Sequence, residues 1–443
     1  MIFPEDKSGF FYRTMYIFPG IKKFKPPAQK GFIMQINTVN AADYPTIQDA
    51  VNAVPRNGTL YIPAGDWQTD AFELKSDMTL HLAAGARLIA PTTLEKHKPW
   101  KMARETSLSH YFIGMFKLSN VTIEGEGTIE CSGHNFWTNF DNEASYIPPR
   151  ESVHGAFSRP YYTPMEFRPV SIMAIECKNI KFRNFTIQNA AAYTIWTLGC
   201  DFVRFDSITL DNHRRGPNTD GLDIDCCSHV WVTNCYLSAG DDCIALKSDS
   251  ALLGYEKNCE HIIITDNIMT GLCCAVRLGY EGDGIICDCL IANNVIHDAD
   301  VGVDMLSIAP LNCRFGITTG TRIERVIADN LTMNNVRMAF KLWSGGDDEE
   351  GRKRYKGYIR KVSLRNMFVE AANPSWVGGL AVSDIQIENI RMHINRPYPF
   401  DPEREVVTMP NVWGYGYLKN PLTLYRVDNL QLNNVQITEE YQQ

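Results

Sequence analysis

Two short runs of acidic residues, Asn218-Thr219-Asp220 and Gly240-Asp241-Asp242, are the part of the sequence best suited to chemistry. Each precedes an alternation typical of a strand, Leu222–Asp225 after the first run and Cys243–Lys247 after the second. Carboxylates crowded on neighbouring strands shift their pKa values apart, so one can hold a proton while another stays ionised. A general acid paired with a general base can hydrolyse a glycosidic bond. Asp beside Gly or Asn also marks ordinary turns, but two such runs on successive repeats favour the chemical interpretation.

The elements that would position these runs form a sequence repeat. An apolar alternation, a turn-forming polar residue and a second apolar alternation recur at Asn179–Ile187, Phe202–Leu210, His229–Leu237 and His261–Met269. Strand, turn and strand at this period are typical of coils stacked in parallel, with turn Asn residues hydrogen-bonded between coils. A β-sandwich also has many short strands, but Asn-Gly hairpin signals are nearly absent. We therefore predict an all-β, single-domain right-handed parallel β-helix.

An N-terminal capping helix is predicted for this solenoid. Thr46 is a candidate N-cap, with Asp49 three positions on. The apolar residues that would share one helix face are Ile47, Ala50, Val51 and Val54. Such a face can close the open end of a solenoid core. We predict that residues 34–443 form the β-helix domain and that residues 1–33 are an extension, either disordered or not native.

Composition limits the class of protein and its partners. The net charge of −8 argues against a general nucleic-acid binder. No apolar run approaches the roughly 20 residues that span a bilayer, so no membrane partner is expected. No signal peptide is recognised, which predicts a cytoplasmic location, or an extracellular one if the N-terminus is misassigned.

The 13 cysteines are expected to be mostly reduced. Several lie in strand-like stretches, among them Cys177, Cys235 and Cys243, where cysteine packs as a small apolar residue. Adjacent pairs such as Cys226-Cys227 and Cys273-Cys274 lack the spacing of a zinc site. We predict no metal and no cofactor.

Several short motifs follow one another along the chain in a characteristic order and spacing. They are Thr46–Ala50, Leu60–Gly65, Leu80–Leu88, Gly125–Ile129, Arg168-Pro169, Asn218–Gly221 and Gly240–Ser248. By their order and spacing, rather than by any one motif, the sequence resembles family 28 of the glycoside hydrolases, the polygalacturonase-like family, over roughly Ile36 to Ile437.

The resemblance implies a single-displacement, inverting mechanism in an open cleft on one parallel sheet, without a metal. By matching motifs, Asp241 would be the general acid that protonates the glycosidic oxygen. Asp220 and Asp242 would position and activate the attacking water, and Asn218 would support the site. The expected partner is an oligosaccharide or polysaccharide.

The residues that would recognise the sugar depart from the family pattern. Cys273-Cys274-Ala275 replaces the family's Gly-His-Gly, which puts Cys274 at the His position. The family's Arg-Ile-Lys, which grips a galacturonate carboxylate, reads Ala339-Phe340-Lys341, so Lys341 is the part that remains.

Four other side chains are candidates for sugar contacts. Arg277 and Lys247 lie next to apolar neighbours and should point outward, either as replacement cations or as surface charges. Trp196 is interpreted as a sugar-stacking platform, with a core position as the alternative. His213, just before the first acidic run, would line the edge of the cleft or lie in an ordinary loop.

The leading hypothesis is an O-glycosidase that acts as an exo-enzyme on pectin-derived galacturonide oligosaccharides or polysaccharides. A hydrolase of rhamnogalacturonan or of a non-uronic glycan is the alternative within the class. A polysaccharide lyase and a non-catalytic glycan-binding β-helix are alternatives from other classes. Lyases of this fold usually need Ca²⁺ and a basic residue. The three aspartates Asp220, Asp241 and Asp242 argue against a lyase. The sequence makes no prediction of oligomeric state.

Overall fold

The structure, a computed structural model, describes residues 37–138, 162–310, 317–346, 348–396 and 420–441. Its strands stack in parallel into three long ladders within one compact unit that begins at Asn37. Each coil adds one strand to each ladder in turn, so strands of neighbouring coils pair with one another. The chain is therefore a three-sided, right-handed parallel β-helix, which confirms the predicted fold class. The predicted extension over residues 1–33 lies outside the described residues.

The first sheet follows both acidic runs. It consists of Phe72–Glu73, His110–Phe116, Pro169–Ile175, Ile195–Leu198, Leu222–Asp225, Ile244–Lys247, Cys274–Gly279, Val301–Ala309 and Met338–Gly346. The second sheet consists of Thr38–Asn40, Gly58–Ile62, Met78–Leu82, Ser119–Gly125, Lys178–Arg183, Asp201–Asp206, Ser228–Thr233, Cys259–Thr265 and Ile285–Ala292. The third sheet consists of Gly65–Gln68, Ala86–Ile89, Thr128–Glu130, Thr186–Gln188, Thr209–Asp211, Tyr236–Ala239, Ile268–Gly271 and Val295–His297.

Long strands continue around the corners of the last coils. Arg322–Val336 and Tyr358–Ala371 extend the second and third sheets, and Ser375–Arg396 and Leu422–Tyr441 continue from the first sheet onward. Two short antiparallel additions lie at the edges of the β-helix. Lys98–Pro99 pairs with His110–Phe116, and Trp137–Thr138 pairs with Thr163–Pro164.

Turn residues between the strands form ladders from coil to coil, as the repeat predicted. Asn293, Asn330, Asn389 and Asn434 all have positive φ, which Asn tolerates better than most side chains. The Asn330 amide donates to Asn293 Oδ1 at 2.9 Å, and the Asn434 amide donates to Asn389 Oδ1 at 2.9 Å. These bonds join equivalent corners of successive coils and help to fix their register.

The interior of the β-helix is a continuous column of apolar side chains. Phe182 stacks on Phe205 of the next coil, with 5.0 Å between ring centroids. Cys177, Cys235 and Cys243 belong to this column, which confirms that they pack as small apolar residues.

The predicted capping helix is present at Ile47–Ala53. Thr46 accepts a hydrogen bond from the Asp49 amide at 3.1 Å, and its hydroxyl donates to the Asp49 carboxylate at 2.7 Å. The predicted face is buried in the core through Ile47, Ala50, Val51 and Val54. The helix therefore covers the first coils as expected.

The remaining helices are short. They are Ser250–Leu253 and Glu349–Arg354, with 3₁₀ turns at Ala41–Asp43, Leu94–Lys96 and Gly133–Phe136. Among the described residues, no helix has the length and apolar character needed to cross a membrane.

Candidate active site

The two acidic runs touch each other directly, because small residues at their contact allow a close approach. A Cβ added at Gly240 would lie 2.3 Å from Thr219 Oγ1, and one at Gly221 would lie 2.4 Å from the Cys243 carbonyl oxygen. The Gly221 amide also donates to the Asp242 carbonyl at 2.8 Å. Larger side chains at either glycine would push the runs apart.

The first run is a turn that ends in a buried acid. Asn218 is exposed, has φ +53°, and accepts a hydrogen bond from Arg168 Nη2 at 2.9 Å. The Asp220 carbonyl accepts from the Thr194 amide at 2.9 Å and from its hydroxyl at 2.7 Å. The Asp220 side chain is consequently held at the start of the first sheet with 4% of its surface exposed.

The second run lies in the bend between Tyr236–Ala239 and Ile244–Lys247. Because Asp241 and Asp242 are outside a flat strand, they are not forced onto opposite faces of the sheet. Asp241 is half-buried, whereas Asp242 keeps 5% of its surface exposed. Asp241 is therefore the most accessible of the three predicted acids.

Asp242 is held ionised by its neighbours. Arg277 Nε donates to Asp242 Oδ2 at 2.7 Å, and the Cys274 amide donates to Oδ1 at 3.0 Å. Burial acts to raise the pKa of Asp242, but the charge of Arg277 and these hydrogen bonds outweigh it and keep that pKa below its usual value.

Asp220 has the opposite electrostatic environment. Burial and the nearby Asp223 raise the pKa of Asp220 well above its usual value, while Lys247 opposes that shift. Lys247 Nζ is 3.6 Å from Asp220 Oδ2. The environments of Asp220 and Asp242 thus move their pKa values in opposite directions, which is the pattern expected of groups with different proton-transfer roles.

Lys247 contacts several polar groups in addition to Asp220. Its Nζ is 2.7 Å from Asp223 Oδ1 and 3.5 Å from Glu281 Oε1, and it donates to the Tyr193 hydroxyl at 2.7 Å. Burial disfavours its charge, but Asp223 and Glu281 outweigh that effect and raise the pKa of Lys247 well above its usual value.

Lys341 lies two strands beyond Arg277 in the first sheet. It keeps 1% of its surface exposed, and its Nζ is 3.5 Å from Asp304 Oδ2. Burial lowers the pKa of Lys341, although Asp304 opposes this. Like Arg277 and Lys247, Lys341 is buried against carboxylates, which argues against the prediction that these cations bind a uronate.

Two predicted sugar contacts are corrected by the structure. Trp196 is 2% exposed and packs beside Met173, Leu198 and Leu252, so it is a packed residue rather than a stacking platform. Cys274 has no exposed surface, and its thiol lies 3.4 Å from Asp304 Oδ2. The sequence offered motif positions and residue types for both residues but did not show which groups cover them.

His213 lies at the edge of the site, in one of the two positions that the sequence left open. Its ring is exposed and lies 5.1 Å from the Tyr162 ring and 6.3 Å from the Trp137 ring, measured between centroids. The His213 carbonyl lies 2.6 Å from where a Cβ on Gly240 would be. The His213 loop therefore packs directly against the second acidic run.

Four site residues were missed by the sequence reasoning. Asp223 and Asp304 point outward from strands with apolar alternation, a signal that could have identified them. Arg168 was recognised as part of a motif but given no role. Tyr193 gave no signal of its contact with Lys247, because that contact joins positions 54 residues apart.

One group of possible metal ligands occurs among the described residues. Ligand atoms of Asp242, Cys273 and Cys274 lie within 4.8 Å of one another. However, Arg277 Nη2 lies 3.0 Å from Cys273 Sγ and 3.1 Å from Cys274 Sγ, and its Nε donates to Asp242. A guanidinium therefore already serves as the cationic partner of this group.

Comparison with known proteins agrees with this fold. The sequence profile of "Glycosyl hydrolases family 28" matches residues 52–337. A probable polygalacturonase of Vitis vinifera is 26% identical over 373 residues, covering 78% of this chain and 70% of the relative. An exo-poly-alpha-D-galacturonosidase of Dickeya chrysanthemi is 26% identical over 294 residues, covering 58% of this chain and 48% of the relative.

A solved structure shows the same fold. The family 28 exopolygalacturonase of Yersinia enterocolitica matches with a TM-score of 0.65 and 19% identity, covering 90% of this chain and 78% of that one. The chain belongs to family 28 of the glycoside hydrolases, and it is therefore an O-glycosidase.

Proposed function

We propose that the chain hydrolyses pectin-derived galacturonides with inversion, by general acid and base catalysis through Asp241, Asp220 and Asp242. The observation that carries this proposal is the direct contact between the two acidic runs at Gly221 and Gly240, which gathers all three carboxylates at the start of adjacent strands. The names of the Vitis, Dickeya and Yersinia proteins support a galacturonide substrate, and those of the last two support exo-action.

The geometry supports different roles for the three acids. Half-buried Asp241 is the accessible group that would protonate the leaving glycosidic oxygen. Asp242, held ionised by Arg277, would orient the attacking water together with Asp220. As the water oxygen bonds to the anomeric carbon and the glycosidic C–O bond breaks, the proton of the water passes to Asp242, the carboxylate that Arg277 holds ionised.

The test is a product-resolved screen over pectic and neutral oligosaccharides, with Asp241→Asn on any substrate found. Loss of the general acid should lower kcat by about 10²- to 10⁴-fold. Asp66→Asn is the control, because Asp66 is exposed in the Gly65–Gln68 strand of the third sheet. Full activity in Asp241→Asn, or turnover of none of the glycans, would contradict the proposal.

The products also distinguish the reaction type and the direction of attack. An inverting hydrolase releases a new reducing end of opposite anomeric configuration, which NMR detects during the first turnovers. An unsaturated, ultraviolet-absorbing product would indicate a lyase instead. Exo-action predicts that one product size accumulates from the chain end, whereas endo-action gives a mixture of sizes.

A non-uronic sugar at the reaction centre is the second candidate. It is favoured by the pairing of Arg277 with Asp242, of Lys341 with Asp304, and of Lys247 with Asp223. A cation that already neutralises a buried carboxylate has less charge to offer a uronate. Faster turnover of neutral than of galacturonate oligosaccharides in the same screen would favour this candidate.

A further inference from the structure

All three guanidinium nitrogens of Arg277 contact other groups of the site. Its Nε donates to Asp242 Oδ2 at 2.7 Å, and its Nη1 lies 3.4 Å from Asp304 Oδ2. Its Nη2 contacts the sulfurs of Cys273 and Cys274 at 3.0 and 3.1 Å. Because the guanidinium is planar and contacts partners through all three nitrogens, it cannot turn toward a substrate without breaking these contacts.

We propose that Arg277 is a positioning residue that keeps Asp242 in its anionic, water-activating form, and that the Cys273 and Cys274 thiols hold the guanidinium against it. This inference rests on the proposed role of Asp242 in hydrolysis. It replaces the prediction that Arg277 binds substrate: the contacts of Arg277 are to the protein's own carboxylates and thiols, and the residue is 7% exposed.

The electrostatic reason lies in the burial of Asp242. An ionised carboxylate that is 5% exposed is costly unless a charge or several hydrogen bonds compensate it. Arg277 supplies the compensating charge, and the Cys274 amide supplies a second hydrogen bond. Without Arg277, Asp242 would keep its hydrogen bonds to the Cys274 amide and the Cys273 side chain but lose the compensating charge, so it would take up a proton more readily. A protonated carboxyl cannot accept the proton of a water.

The Cys274 thiol suits the anchoring role because it does not compete for the charge of Arg277. Burial raises the pKa of the Cys274 thiol well above its usual value, so this sulfur stays uncharged. Cys273 Sγ and Cys274 Sγ are 3.8 Å apart and touch the same nitrogen of Arg277. Adjacent cysteines thus place two sulfur contacts on the guanidinium at the positions of the family's Gly-His.

The test compares the pH dependence of kcat/KM in the parent, Arg277→Gln and Arg277→Lys, on the substrate found in the screen. In Arg277→Gln, the acidic limb should move to higher pH by one unit or more, and kcat should fall at least tenfold with KM within about twofold. Arg277→Lys keeps the charge, so its acidic limb should move less than that of Arg277→Gln. Arg204→Gln is the control, because Arg204 is an exposed arginine that covers Trp231 on the second sheet.

The opposite result would overturn the proposal. If Arg277 binds the sugar, KM rises while kcat and the acidic limb stay unchanged. Arg277→Lys decides between these outcomes by the same two readouts should Arg277→Gln fail to fold.

A measurement without substrate separates this inference from the proposed function. The ¹³C signal of the Asp242 carboxyl, assigned by its absence in Asp242→Asn, should titrate at higher pH in Arg277→Gln than in the parent. An unchanged titration would refute the positioning role even if the enzyme hydrolyses galacturonides. If no glycan is hydrolysed but the titration shifts, the proposed function fails while the Arg277 contact stands.

Discussion

From Leu222–Asp225 to Met338–Gly346, the two faces of the first sheet are both buried but differ in chemistry. Along its inner face, Ile224, Leu246, Leu278, Met305 and Leu342 occupy successive coils in register and join the apolar column. One residue earlier on the same strands, the outer face carries Asp223, Ala245, Arg277, Asp304 and Lys341. Leu246 and Asp223 both have no exposed surface, and Arg277 is 7% exposed.

The difference shows what each kind of burial requires. An aliphatic side chain is stabilised by any apolar neighbour of suitable shape, so the inner row tolerates exchange among residues of similar volume. A buried charge needs one particular partner, because an unpaired charge in the interior is strongly destabilising. The charged positions of the outer row are therefore fixed by their partners, and two of them, Asp223 and Arg277, act directly on Asp220 and Asp242.

Loss of a buried cation should give the largest change in stability. Lys247→Met would leave Asp223 buried without the ammonium that lies 2.7 Å from it. We expect the free energy of unfolding to fall by about 3–5 kcal/mol, measured by chemical denaturation. A loss below about 1 kcal/mol would mean that a buried charge of the outer row does not depend on its particular partner.

Truncation in the inner row is the direct counterpart on the same strand. Leu246→Ala removes a core side chain next to Lys247 and should lower the free energy of unfolding by about 2–5 kcal/mol, through lost burial and the cavity it leaves. Leu246→Met keeps the volume and should cost less than about 1.5 kcal/mol. Equal losses in the two variants would contradict the view that the inner row depends on volume alone.

The pH dependence of stability should differ between the two rows even when a substitution leaves the side-chain volume nearly unchanged. Burial raises the pKa of Asp223 to about 7, although Lys247 opposes this, against about 3.9 in an unfolded chain. Between these values the folded state binds more protons, so the contribution of Asp223 to stability falls as pH rises from about 4 to 7, by up to about 1.4 kcal/mol per pH unit.

Asp223→Asn should remove this slope. Melting temperatures of parent and variant measured from pH 4 to 7 should therefore converge or cross as pH rises. Leu246→Met is the control, because it adds no titrating group. Parallel curves for parent and Asp223→Asn would show that Asp223 does not titrate in this range.

An exposed ion pair should give the smallest effect. Arg87 Nη1 and Asp66 Oδ2 lie 3.1 Å apart, with side chains 48% and 59% exposed. Arg87→Met should change the free energy of unfolding by less than about 1 kcal/mol, because water already solvates both charges. A change comparable to that of Lys247→Met would mean that burial is not the cause of the difference between the rows.

The sequence predicted the fold correctly and identified the two acidic runs that the structure brings together, because both leave local signals. The repeated alternation determines which side chains point into the column, and the two acidic runs occur one coil apart. The alternation also predicted correctly that Arg277 points outward. It could not show that Asp242 would be its partner, since that contact joins residues 35 positions apart and depends on how coils stack. For Trp196 the stacking interpretation was wrong and the packed alternative was right. The choice depended on which side chains of other coils cover the ring, and the sequence does not show this.

The contact at Gly221 and Gly240 makes the coil between the acidic runs a segment of fixed length. Asp220 ends one circuit of the β-helix and Asp242 ends the next, so the spacing of the two carboxylates is set by how many residues complete that circuit. Natural variation or engineering can lengthen connections elsewhere in the chain without altering this spacing. A single residue inserted between Leu222 and Ala239 would instead shift the register of one acid against the other. Changes of length therefore belong outside this coil, while the coil from Asp220 to Asp242 must keep its number of residues.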